Sequence, residues 1–351
     1  MANEPITREE ILLNAVATGE ATNLEPITRE EMFLAKLGGA DVNTPMPITR
    51  KEQFLQKAIE NGGNTGGGGS AGGDEWFNDG DTHIWITLHE GRTSPMLGVC
   101  PNGTVTVDWG DGTAPDVLTG TSTSTVKWTP NHEYAKPGDY VIRLTVDGEM
   151  GLCGIASTNE HACILRHTSS ADGRNVAYQT AMRKVEIGNG VTVEKDAFRD
   201  CYALSSVYIH DSVTSLGAQV FQNCYSLSSV YISNNITNFG RYLFSGCCAL
   251  TSVTFPNSLT TVDSYAFHSC SALTSVTFQN SATTIKTSAF IGMKSVRFFD
   301  FTKHTAVPTL SSSSAFENLS VDYEIRVPAA LYDKRIAATK WSTYASKIVA
   351  V

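Results

Sequence analysis

Long apolar runs are missing from this 351-residue chain, so no segment reads as a bilayer-crossing helix. Basic clusters are missing as well. The formal net charge is -9, which argues against a nucleic-acid binder that relies on phosphate contacts. The opening "MANEPITREE" has neither a basic nor an apolar stretch of the kind that begins a secretory signal, so the expected site of synthesis and retention is a cytoplasm. Cysteine is sparse: eight residues are too few for a disulfide scaffold. No phosphate-binding loop, zinc-protease helix, nucleophile elbow or dinucleotide fingerprint occurs, and histidines and carboxylates are scattered. No enzyme, cofactor or metal is expected. Cys153, Cys163, His161 and His167 fit no zinc spacing.

What the chain does have is repetition of two kinds. Residues 1–61 carry "PITREEILL", "PITREEMFL" and "PITRKEQFL", each copy 21 residues after the last. Each reads as the start of a short helix. Thr7, Thr28 and Thr49 are candidate N-caps, with Glu10, Glu31 and Glu52 completing capping boxes three residues on. Ile6, Ile27 and Ile48 precede the caps, and Phe33 and Phe54 need an apolar partner. Helices of about ten residues are marginal alone. The segment therefore reads either as a small helical cluster or as a triplicate docking motif that gains from multivalency. Residues 62–73, "GGNTGGGGSAGG", are a flexible linker.

Residues 74–148 alternate apolar and polar side chains in "TVTVDW" and "YVIRLTV", as strands do. "DWGDGT" and "HEYAKPGDYVIRLTV" within this stretch resemble a PKD domain, which implies an immunoglobulin-like β-sandwich. Asp108 and Asp111 read as turn-forming residues rather than Ca²⁺ ligands, because the loop offers too few oxygens. Trp109 and Tyr134 read as packing residues. Residues 149–180 read as an insertion or as an N-terminal cap for the next domain.

From residue 181 to about 320 a second repeat takes over. Phe198, Phe221, Phe244, Phe267 and Phe290 are 23 residues apart, and Cys201, Cys224, Cys247 and Cys270 keep the same spacing. A fixed period of this length means a solenoid whose units bury their faces on one another. The cysteine column reads as a buried ladder of small residues. The "AF" pair and the C-x-x-L-x-x-V-x-I/F core resemble the BspA-like leucine-rich repeats. Residues 321–351 read as a helical cap over the open end, through Leu331, Ile336, Trp341, Tyr344 and Ile348. The whole is expected to be multidomain: short helices, an all-β sandwich, then a solenoid.

Alternation along the repeat strand turns Val207 and Ile209 inward. It turns Ser206, Tyr208, His210, Ser229, Tyr231, Ser252, Thr254 and Thr277 outward, as a candidate face for a glycan or a protein. The N-terminal repeats and glycine-rich linker resemble the anchoring segments of phage head-fibre and tail-associated proteins. That resemblance implies a virion protein, made without a signal peptide, present in many copies and docked on a capsid or tail protein. The alternative expectation is a bacterial surface adhesin.

Overall fold

The computed structural model describes residues 76–152, 164–166, 176–279 and 283–351. The Pro-Ile-Thr-Arg repeats and their capping residues Thr7, Thr28 and Thr49 lie outside the described residues. So do the linker and the Cys153–Cys163 pair. Phe77–Val351 is one compact unit.

Its first part is antiparallel. Strands β1 (Thr82–Leu88), β2 (Met96–Asp108), β3 (Asp116–Thr121), β4 (Lys127–Trp128), β5 (Gly138–Leu152) and β6 (Leu165–Arg166) follow in chain order. Alternation decides their faces: Ile84, Ile86, Val105, Val107, Ile142 and Leu144 are all buried. Strand β5 runs through the domain boundary expected at residue 148. It pairs with β1 on one side and β2 on the other, and β3 lies beyond β2. The "DWGDGT" turn closes as its residue types suggest. Asp108 accepts from the amide of Gly110, and Asp111 from the amide of Thr113. Gly110 has a φ of 75°, and an added Cβ would meet the Val141 carbonyl oxygen at 2.3 Å, so no other residue fits there.

The second part is a parallel solenoid. It begins with a four-residue helix, Val176–Gln179, then β7 (Met182–Ile187), β8 (Val191–Val193), β9 (Ser206–Ile209), β10 (Ser229–Tyr231) and β11 (Asn238–Phe239). β12 (Ser252–Thr254), β13 (Thr261–Val262), β14 (Ser275–Thr277), β15 (Thr284–Ile285), β16 (Phe298–Asp300) and β17 (Thr309–Leu310) continue it. β18 (Glu324–Val327) and β19 (Ile348–Ala350) end it. Most coils contribute one strand to each of two parallel ladders, and the β9 coil reaches the second only through isolated bridges at Leu216. Register follows the sequence period: Ser206 pairs with Ser229, Ser252 with Ser275, and Thr261 with Thr284.

Between the ladders runs a spine of phenylalanines. Phe198, Phe221, Phe244, Phe267, Phe290 and Phe316 stack in sequence, with ring centroids 5.3–5.6 Å apart. Phe198 to Phe290 are fully buried. Each contributes about 2–3 kcal/mol of burial that one isolated coil has no means of obtaining.

The two parts are continuous. β7 pairs parallel with β9 and antiparallel with β1, so one ladder of the solenoid runs into the antiparallel strands. The other ladder reaches them through β8, which pairs parallel with β5. Isolated bridges carry that ladder from Val193 through Leu216 to Phe239.

At the far end, the helical cap expected from composition is present, but built of short pieces. The described tail holds one six-residue α-helix, Tyr332–Ala337, flanked by two 3-10 stretches. β18 and β19 extend the repeat ladder beyond residue 320. Leu331, Trp341, Tyr344 and Ile348 are buried and Ile336 is half-buried.

Candidate binding face

The outward face of the repeat strands begins with two tyrosines. Tyr208 and Tyr231 are in register, and their rings stack at 4.6 Å and 8°. Burial, and secondarily the neighbouring phenol of Tyr231, push the Tyr208 hydroxyl up to about 12, so both phenols remain hydrogen-bond donors at neutral pH. Ser229, Ser252 and Thr254 are exposed, and Thr277 is half-buried. His210 is half-buried, and its Nδ1 accepts from the amide of Ser212.

Ser206 departs from expectation. It is 8% exposed, because its strand lies between Lys184 on β7 and Ser229 on β10. Nor does the column run unbroken. Among the described residues no ladder joins β10 to β12, and Val230 is only half-buried where Val207, Val253 and Val276 are buried. The structure therefore brings Tyr208, Tyr231 and Ser229 together in one sheet, and places Ser252, Thr254 and Thr277 in another.

The face also has neighbours that spacing did not reveal. In register, Glu186 sits beside Tyr208 and His83 beside Glu186; Lys184 sits beside Ser206 and Trp85 beside Lys184. Lys184 lies over the Trp85 ring at 4.3 Å. A short strap then crosses β7. The amides of Phe77 and Asn78 each donate to a Glu186 carboxylate oxygen at 2.8 Å, and the Phe77 ring stacks on His83 at 4.1 Å. Gly188 lets the strap approach, since a Cβ there would meet the Gly80 carbonyl oxygen at 2.3 Å. The strap leaves Lys184 and Glu186 buried, holds Phe77 half exposed, and shifts His83 below its ordinary pKa by burial. Glu186 is 22 residues before Tyr208 rather than 23, so the first repeat is one residue short and falls out of the alignment that would have shown it.

Chemically, the face offers phenol and serine hydroxyls, one imidazole and a half-exposed aromatic ring. Among the described residues no three His, Cys, Asp or Glu side chains converge as a metal site would require. Cys100 is disulfide-bonded, while Cys201, Cys224, Cys247, Cys248 and Cys270 are free.

Residues 178–322 match the BspA type leucine rich repeat region, in six copies. The chain thus carries a BspA-type repeat region within a solenoid. Solved structures resemble it over part of its length. A leucine rich cell surface protein from Faecalibacterium prausnitzii is 28% identical, with 47% of this chain and 40% of that one covered and a TM-score of 0.33. The T. pallidum leucine rich repeat protein is 20% identical, over 39% of this chain and 78% of that one, with a TM-score of 0.31. A leucine-rich repeat protein from Bacteroides ovatus is 18% identical, over 40% and 52%, with a TM-score of 0.26. This chain therefore covers less than half of the Faecalibacterium protein. No curated protein matches it.

Proposed function

We propose that this chain is a non-enzymatic display protein of a bacteriophage virion, bound to a capsid or tail protein through its N-terminal repeats. Its β-body is held out to contact glycan or protein on a host surface. The observation that carries the binding half is the Tyr208–Tyr231 stack, partly open on a solenoid whose interior is closed by stacked phenylalanines. Rigid aromatic groups with hydroxyl tips make contact area at small entropic cost. The docking half rests on the three Pro-Ile-Thr-Arg segments and the glycine-rich linker after them. Within residues 76–152 we infer a PKD-type, immunoglobulin-like module. Its support is the "DWGDGT" turn, the Tyr134 hydroxyl donating to the Trp109 carbonyl at 2.8 Å, and the His132 ring stacked on Trp109 at 4.6 Å.

A bacterial surface adhesin is the second reading, and the Cys100 disulfide favours it. Such bonds persist in oxidising compartments, although virion surfaces are among them. Proteomics of density-banded virions separates the two readings. Recovery of the chain in many copies per particle is the expected result. Recovery instead from the envelope of an uninfected, prophage-free strain gives the adhesin. The face itself is tested by binding of the full chain to host cells, which Tyr208→Ala together with Tyr231→Ala should abolish.

A further inference from the structure

Two tyrosines occupy a backbone position that suits them poorly. In five successive coils, the residue just before the Ala-Phe, Val-Phe or Leu-Phe pair takes a left-handed conformation. Asp196, Gln219, Tyr242, Tyr265 and Ser288 have φ of 61°, 63°, 57°, 60° and 53°. Short polar residues visit this region with least strain, and bulky ones are outliers there. Strain of this sort, when retained, is a pointer to function.

The two outliers are adjacent and organised. The rings of Tyr242 and Tyr265 stack at 4.8 Å and 11°. The guanidinium of Arg241 lies over both, 5.0 Å from one centroid and 6.0 Å from the other. Arg241 is exposed and forms no ion pair among the described residues, and among the exposed unpaired arginines it is the one laid over two stacked rings. Asp263, two residues before Tyr265, is occupied by Lys286 at 2.8 Å. The imidazole of His268 meets Tyr265 edge-on at 6.1 Å, and its nitrogens lie 3.2 Å from the hydroxyls of Ser245 and Ser269.

We propose that this ridge is a second binding site, and that its ligand is a glycan bearing a carboxylate, of the sialic- or uronic-acid class. A planar guanidinium fork with no carboxylate of its own matches such a group in two parallel hydrogen bonds. The groups around the fork are the half-buried Tyr242 and Tyr265 phenols and the half-buried Ser269 hydroxyl, which can exchange hydrogen bonds with sugar hydroxyls, while the buried Ser245 hydroxyl holds the His268 ring. With a net charge of -9, the chain has no general attraction for anions, so one arginine sets the preference. The ridge uses a different position of the repeat from the Tyr208–Tyr231 face. It depends neither on that face nor on whether the protein sits on a particle or a cell.

The test is calorimetric titration of the full chain with sialyllactose and with a glucuronate oligosaccharide, against neutral lactose and a glutamate-rich peptide. Saturable binding of at least one acidic sugar is expected, with lactose weaker by roughly tenfold or more. Arg241→Gln should lower the acidic-sugar affinity by about tenfold or more, and Arg241→Lys by less, because it keeps the charge and loses the fork. Thermal melting checks that each variant is folded, and Arg92→Gln, at an exposed arginine between β1 and β2, should leave this affinity unchanged. Absence of saturable binding by either acidic sugar overturns the proposal. So does binding that ignores Arg241→Gln, and so does tighter binding of the peptide than of either sugar.

Discussion

A thiol in the same place in successive coils meets two requirements together. It fills a small volume beside the phenylalanine spine, and it carries a weak donor. The structure uses both. Cys224, Cys247 and Cys270 each point their sulfur at the carbonyl oxygen of a phenylalanine 26 residues earlier, at 3.2, 3.2 and 3.0 Å. The column was legible from spacing alone, but the acceptor was not, because it belongs to the backbone of the preceding coil. Burial raises the pKa of Cys247 and of Cys270 well above the ordinary thiol range. The thiolate, not the thiol, is the nucleophile, so these side chains are inert while folded. Cys248, one residue along from the column, is free and exposed. Native protein treated with iodoacetamide should therefore be alkylated at Cys248 and spared at Cys201, Cys224, Cys247 and Cys270, as read by peptide mapping. Labelling of the four column residues at a rate similar to Cys248 would show that the coils open readily.

Among the elements, the C-terminal cap is where sequence reasoning saw least. Its apolar residues were visible from composition. The buried arginine was not, because arginine is almost never fully buried without a partner. Arg335 is completely enclosed, between the rings of Phe301 at 4.4 Å and Trp341 at 4.5 Å, and burial pushes its pKa down to about 9. His304 is enclosed nearby, 5.1 Å from Phe301 and 6.2 Å from Phe278 by ring centroid. Burial first, and the Arg335 charge second, lower its pKa to about 4; Asp300 opposes this more weakly. An unfolded histidine takes its proton near 6.5, the folded one only near 4. Between those values the unfolded chain binds more protons, so stability falls as pH drops through the window. The loss is on the order of 3 kcal/mol by pH 4. The melting temperature should fall between pH 7 and pH 4.5, and His304→Leu should flatten that fall, since leucine fits among the same rings and has no proton to take. Parallel profiles for the two proteins would mean that acid acts elsewhere.

At the scale of the whole molecule, the 23-residue period gave away most of the solenoid. It predicts which residue sits beside which, as Ser252 beside Ser275 and Val262 beside Ile285. It says nothing of how the stack begins, since the strands that cover its first coil are not repeats. Those strands are β1, antiparallel to β7, and β5, parallel to β8. Both ladders of the first coil are thus paired on the side where a solenoid would otherwise present bare N–H and C=O groups. Unpaired strand edges of that kind recruit other chains. The antiparallel part therefore serves the solenoid as a terminal cap, whatever else it binds. The full chain should accordingly show one cooperative urea transition across the described β-body, because breaking either part bares the other's edge. A chain reduced to residues 176–351 should elute as higher-order species in size-exclusion chromatography, or unfold at clearly lower urea. A monomeric 176–351 with an unchanged midpoint would show that β7 and β8 need no neighbour, and that the continuous sheet joins two parts that each stand alone.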